Sequence, residues 1–78
     1  MVYCNLIEAH DGIAKYAIGG FVSDITGILV IDTINETYVL EKKPLNSKVY
    51  DKHIGSMVRK YSSDFDRGNY PAKMSWEI

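Results

Sequence analysis

The chain has 78 residues, of which 46% are hydrophobic and 24% are charged, and its formal net charge is −1. This composition is ordinary for a globular domain and argues against intrinsic disorder. The only cysteine, Cys4, excludes an intrachain disulfide and favours a reducing compartment. The longest aliphatic run, residues 28–31, is too short to span a bilayer. We therefore expect one domain, residues 1–78, that is cytoplasmic and does not associate with membranes.

The distribution of charge along the chain is uneven. Residues 1–41 contain one lysine and six acidic residues, whereas residues 42–78 contain eight basic and four acidic residues. Such asymmetry is typical of a chain whose basic half binds an anionic partner, and equally of one whose halves attract each other in the fold. The two histidines and Cys4 have no metal-ligand spacing, so neither a metal nor another cofactor is expected.

Alternating residues predict two strands at the start of the chain, joined by a tight turn. Residues 2–8 alternate between two faces that both carry apolar side chains, and residues 13–18 form a second apolar run. The pair Asp11-Gly12 between them is a strong hairpin signal, because a type I′ turn needs positive φ at both central residues.

Two further strands are predicted at residues 26–33 and 37–42, separated by a polar turn with the sequence INET. The four consecutive aliphatic residues 28–31 point to both faces, which is typical of a central strand buried on both sides. In the strand at 37–42, Tyr38 and Val39 occupy opposite faces.

After Pro44 the spacing of apolar residues changes to three and four, which predicts a helix over residues 47–62. Asn46 and Ser47 are candidate N-caps. Gly55 either allows the helix to approach the sheet closely or weakens it by about 1 kcal/mol. The apolar stripe consists of Tyr50, Ile54, Met57, Val58 and Tyr61.

The end of the chain predicts a loop and a fifth strand. Residues 62–71 have the composition of a loop. Residues 72–78 alternate, with Met74, Trp76 and Ile78 on one side, as expected for an edge strand. The order ββββαβ predicts an α+β domain, in which a small antiparallel sheet of four or five strands carries one helix on one face.

Two stretches that superficially suggest a ligand site do not match the required patterns. A phosphate loop places spaced glycines before a helix, whereas Gly19, Gly20 and Gly27 precede apolar residues of predicted extended segments. These glycines therefore predict a bend and a turn. The segment 64–69, DFDRGN, lacks the glycine and glutamate positions of an EF-hand calcium loop, so a solvated turn is expected.

No catalytic constellation is recognisable in the sequence. Cys4 alternates into an apolar strand face, where a free cysteine usually behaves as a small core residue. His10 falls in a predicted turn and His53 in the predicted helix, and nothing in their spacing brings them to a nucleophile. We expect that the protein is not an enzyme.

One helix covers only one face of such a sheet, yet several strands carry apolar residues on both faces. An uncovered second face would be an exposed apolar patch, which is typical of an interaction surface. The alternative is a strongly curled sheet that covers itself, as in a small barrel. The interface hypothesis predicts a homodimer or docking onto another protein. Its expected anchors are Tyr3, Ile7, Tyr38 and Trp76.

The predicted helix also carries a series of basic residues. Together with nearby tyrosines they suit phosphate contact and base stacking. Acidic residues interrupt the series, and the sequence pI of about 6.0 is low for a nucleic-acid module. A solvated helix face and an acidic protein partner are the alternatives. The residues expected to bind an anionic partner are Lys48, Lys52, Arg59 and Lys60.

These features favour a small non-enzymatic protein-interaction module, acting as a regulator or inhibitor by binding a protein partner, and homodimeric. The size suits a protein encoded by a phage or another mobile element. The runner-up is a nucleic-acid-binding domain that uses the basic helix 47–62.

Overall fold

Five strands and two helices make up the fold in the computed structural model, which describes residues 1–77. The strands form one antiparallel sheet in the order β4-β3-β2-β1-β5. This architecture confirms the predicted α+β domain and its order ββββαβ, to which it adds a second, short helix. The elements are β1 (Val2–His10), β2 (Ile13–Gly19), β3 (Gly27–Asp32), β4 (Thr37–Lys42), α1 (Asp51–Lys60), α2 (Ser62–Asp66) and β5 (Lys73–Trp76).

The core lies between one face of the sheet and the two helices. Because successive strand residues point to opposite faces, alternate residues of β1, β2 and β3 are buried together. Tyr16 is completely buried, and its hydroxyl donates to the carbonyl oxygen of Pro71 at 2.8 Å. The helices contribute Ile54, Met57, Val58 and Phe65 to the same cluster.

The first hairpin has the predicted turn. Asp11 and Gly12 have φ of 53° and 80°, so both central residues adopt the left-handed conformation that a type I′ turn requires. The register of β1 against β2 shifts between Leu6 and Glu8, which makes Ile7 the extra residue of a β-bulge. Beyond this bulge, β1 continues to His10, two residues past the predicted strand.

The segment of glycines between β2 and β3 is a loop held by a buried carboxylate. Asp24 is only 4% exposed. Its oxygens accept hydrogen bonds from Ser47 Oγ at 2.6 Å, from the Asn46 backbone N–H at 2.9 Å and from Thr26 Oγ1 at 3.0 Å. The hydroxyl of Ser47 above all, and then the Asn46 amide, hold the pKa of Asp24 below its ordinary value.

These bonds explain why the predicted helix start was wrong. Asn46 and Ser47 do not cap the helix, because both bind Asp24 across the chain. Helix α1 begins at Asp51, after an N-cap residue, Tyr50, whose side chain makes no capping hydrogen bond. Lys48 consequently lies outside the helix.

The predicted loop at 62–71 contains the short helix α2, which the sequence pattern did not indicate. Phe65 supplies the reason, because its side chain is buried against the core cluster and lies 6.2 Å from the ring of Tyr70, centroid to centroid. Tertiary packing of one aromatic residue thus outweighs a local composition that favours turns.

Strand β5 is an edge strand, as predicted; it pairs with β1 and spans Lys73–Trp76 instead of 72–78. Ile78 lies outside the described residues. Helix α1 and its C-cap contact this strand, because Lys60 Nζ donates to the Ser75 carbonyl at 3.4 Å and Tyr61 Oη accepts from the Ser75 amide at 3.4 Å.

We predict that Gly19→Ala severely destabilises the fold. A Cβ at Gly19 would overlap the backbone carbonyl of Asp24, which cannot move without breaking the bonds of the Asp24 carboxylate. Such overpacking costs up to about 3 kcal/mol. Urea unfolding measures the loss. Gly68→Ala is the matched control: a Cβ there meets no atom within 4 Å, and only the positive φ of 75° costs about 1 kcal/mol. Equal losses for the two variants would contradict this account.

We also predict an acid-labile contribution from Asp24. Because hydrogen bonds lower its folded pKa below the ordinary 3.8, the ionised carboxylate stabilises the fold above pH 3.8 and this stabilisation is lost as pH falls through the folded pKa. The difference in free energy of unfolding between wild type and Asp24→Asn should therefore shrink below pH 4. Urea unfolding at pH 7 and pH 3 measures it, with Asp66→Asn as an exposed control. A constant difference would refute the prediction.

Candidate functional site

The sheet face away from the helices, called the open face below, carries an apolar block in its middle. Ala17 lies opposite Ile28 across β2 and β3, and Val30 lies opposite Val39 across β3 and β4. Val39 is 64% exposed, and the other three are half-buried. These four residues, Ala17, Ile28, Val30 and Val39, are the apolar block. The run 28–31 therefore divides between the two faces, since Leu29 and Ile31 are in the core.

Charged residues border the apolar block and differ in sign along the strands. Lys73 and Lys42 lie in the row of Asn5, Ala17 and Ile28, at one end. Asp32 lies at the other end, in the row of Ile13. Glu8 and Lys15 face each other between these ends, 3.9 Å apart. The open face is thus basic at one end and acidic at the other, although Glu41 partly offsets the lysines.

The carboxylate of Asp32 is fixed in its charged form by the β3–β4 turn. Its oxygens accept the backbone amides of Ile34 and Asn35 at 3.1 and 3.0 Å and the Asn35 side-chain amide at 2.9 Å. The backbone amide of Asn35 first, and then its side chain, lower the pKa of Asp32. The acidic end of the open face is therefore charged at neutral pH.

The structure divides the four predicted anchor residues between the two sides of the sheet. Tyr3 is half-buried on the open face, and Ile7, the bulge residue, is 51% exposed. Tyr38 and Trp76 pack against the core on the helix side, so their predicted placement on the face away from the helix was wrong. The Tyr38 hydroxyl lies 2.9 Å from Asp51 Oδ1 in helix α1. Burial, and then this bond, raise the pKa of Tyr38.

The basic residues do not form one continuous surface. Lys48 precedes α1 and Lys52 lies in its first turn. Arg59 borders a cleft on the β4 side, whereas Lys60 donates to Ser75 in β5 and lies 5.1 Å from the centre of the Tyr61 ring. Binding of an anionic partner by these four residues stays a prediction.

The sole thiol has no reactive neighbour. Cys4 is buried, its Sγ lies 3.9 Å from the Sδ of Met57, and burial raises its pKa to about 12. It is therefore a protonated thiol at neutral pH, which is a poor nucleophile. Within residues 1–77, no three histidine, cysteine, aspartate or glutamate side chains are grouped so that they could hold a metal ion. No helix of this part of the chain is long and apolar enough to cross a membrane.

The sequence pattern did not indicate a cleft that lies between the helices and the end of the β3–β4 hairpin. Its volume is about 350 Å³. Ile31, Val58 and Phe65 provide apolar walls, and Glu36 and Asp66 are exposed residues that also line it. These residues come from one strand, a turn and two helices, so no spacing in the sequence could have revealed that they meet.

Comparison with known proteins adds no relative. No protein-family model matches the chain, and neither the curated proteins nor the solved structures contain a match.

Proposed function

We propose that the protein is an interaction module whose open face binds a second copy of the chain. The observation that supports this proposal is the apolar block, four aliphatic side chains in contact range across three strands with no helix over them. Burial of such a patch is favourable by about 25 cal/mol per Å². A domain of this size buries a smaller fraction of its unfolded chain's surface than a larger domain does, so it gains more from a partner.

The charges of the open face favour a second copy as the occupant. In a two-fold dimer the same patch appears on both subunits. If the axis lies in the interface and runs across the strands, each copy places its lysine end, Lys42 and Lys73, over the Asp32 end of the other. The same rotation, with its axis through the row of Val30 and Val39, places these two valines on their counterparts and Ala17 of each copy over Ile13 of the other. Opposite charges then meet at both ends of the interface, which favours this orientation over the one that joins like ends.

Such a dimer leaves the helices of both copies facing solvent. A regulatory or inhibitory role would act through that helical surface, because the sheet surface is used for self-association. The two copies would present two identical helical surfaces, and a partner with two sites would be bound more tightly than one with a single site.

We predict that Val39→Asp converts a dimer into a monomer. An aspartate at this position of the interface would be buried without a partner, at a cost of several kcal/mol. Light scattering and sedimentation from low micromolar to millimolar protein measure the mass. Leu45→Asp, at a leucine that is 70% exposed between β4 and α1, is the matched control and should remain dimeric. A wild-type protein that stays monomeric at every concentration would disprove the proposal.

The proposed orientation has its own test. Lys42→Glu places an acid at the basic end of the open face and should weaken the dimer about threefold to tenfold, with a smaller effect at high salt. Lys52→Glu makes the same charge change on α1 and should leave the dimer unchanged. Sedimentation at two salt concentrations compares them. Equal weakening by both variants would show that net charge, and not the orientation, controls association.

A further inference from the structure

The cleft beside the β3–β4 turn is lined by packed apolar side chains and by charged side chains that form no ion pair within the described residues. Ile31 is fully buried and Phe65 and Val58 are 6% and 7% exposed, so the apolar lining is formed by core side chains held in place by their neighbours. A volume of about 350 Å³ falls in the range of small-molecule sites. A preformed apolar wall of this kind lowers the ordering cost of binding a ligand.

Glu36, Asp66 and Arg59 at the cleft have no ionic partner in the part of the chain that the structure describes. The guanidinium of Arg59 contacts Ser56 Oγ at 3.3 Å. Two exposed acidic residues, Glu36 and Asp66, line the cleft against this single guanidinium. Carboxylates in excess at a concave, partly apolar surface concentrate negative potential there.

Gly55 lines one wall of the cleft and, because it has no side chain, leaves the space in front of that wall open. Gly55 in α1 lies against Tyr38, and a Cβ at this position would be 3.2 Å from the Tyr38 hydroxyl. The absence of a side chain makes room for the end of the Tyr38 side chain against the helix, which accounts for a glycine in the middle of an α-helix, where it costs about 1 kcal/mol relative to alanine. A larger residue at position 55 would project into the cleft, which Gly55 itself lines.

We propose that this cleft binds an amphipathic organic cation, a small molecule with an aromatic or aliphatic body and a protonated amine. The body contacts the accessible parts of Val58 and Phe65, and the ammonium group lies at the exposed edge near Glu36 and Asp66. An amine has donors for both carboxylates and gains from the excess negative charge. An anion of the same shape would be repelled by the carboxylates of Glu36 and Asp66, and a neutral molecule would gain only the apolar contact.

The cleft lies on the helix side of the sheet, opposite the open face. Ligand binding at the cleft therefore does not depend on the proposed self-association through the open face. Ligand binding that persists in the monomeric Val39→Asp variant would separate the two.

Phenethylamine tests the proposal, with 2-phenylethanol and 3-phenylpropionate as neutral and anionic probes of similar shape. Titration of the ¹⁵N-labelled protein, followed by amide chemical shifts, should give millimolar binding of the amine, with shifts confined to the β3–β4 turn, α1 and α2. The alcohol should bind about tenfold more weakly, and the carboxylate not at all. Equal binding of amine and carboxylate, or no amine binding at millimolar concentration, would overturn the proposal.

Three variants test the roles of the charges. Glu36 has φ of 56°, a left-handed conformation that asparagine tolerates better than glutamate, so Glu36→Asn removes the charge without straining the turn. It should weaken amine binding about threefold to tenfold, as should Asp66→Asn. Arg59→Gln removes the competing cation and should strengthen binding. Glu8→Gln on the open face should have no effect. Weaker amine binding in Arg59→Gln would refute the cation assignment and indicate a ligand with a carboxylate.

Discussion

The buried carboxylate of Asp24 holds the two halves of the chain together, and the position of the helices depends on it. It ties the loop after β2 to the segment before α1 through Asn46 and Ser47. Because that segment is held at Asp24, helix α1 starts only at Asp51, where the Asp51 carboxylate meets the Tyr38 hydroxyl of β4. One charged group with several hydrogen bonds thereby sets the position of the helix over the sheet, and with it the shape of the cleft.

Strand β3 connects the two candidate surfaces. Ile31 belongs to the core and lines the cleft, whereas Ile28 and Val30 belong to the apolar block on the other side. Asp32, at the end of the same strand, lines the cleft and also marks the acidic end of the open face. A strand that is apolar on both sides thus places two surfaces back to back, one concave and one broad.

How far the sequence predicts this molecule depends on the range of the interactions involved. The hairpin at Asp11-Gly12 and strand β4 follow from local turn chemistry and alternation, and both agree with the structure. The sides of Tyr38 and Trp76 could not be predicted, because alternation separates two faces without saying which one the helices cover. The start of α1, helix α2 and the cleft depend on contacts between residues far apart in the chain, such as Ser47 with Asp24.

Strand β4 ends the sheet opposite β5, and its outer backbone edge has no neighbouring strand among residues 1–77. Free edges invite further strands to add, which is a route to aggregation. Here the strand is only six residues long and ends with Glu41 and Lys42. Lys43 and Pro44 follow it, and a proline has no amide hydrogen to donate. Charged residues followed by a proline act as gatekeepers that limit edge-to-edge growth. Growth of the sheet into fibrils is thereby disfavoured at β4, while the face beside it stays free for a closed assembly.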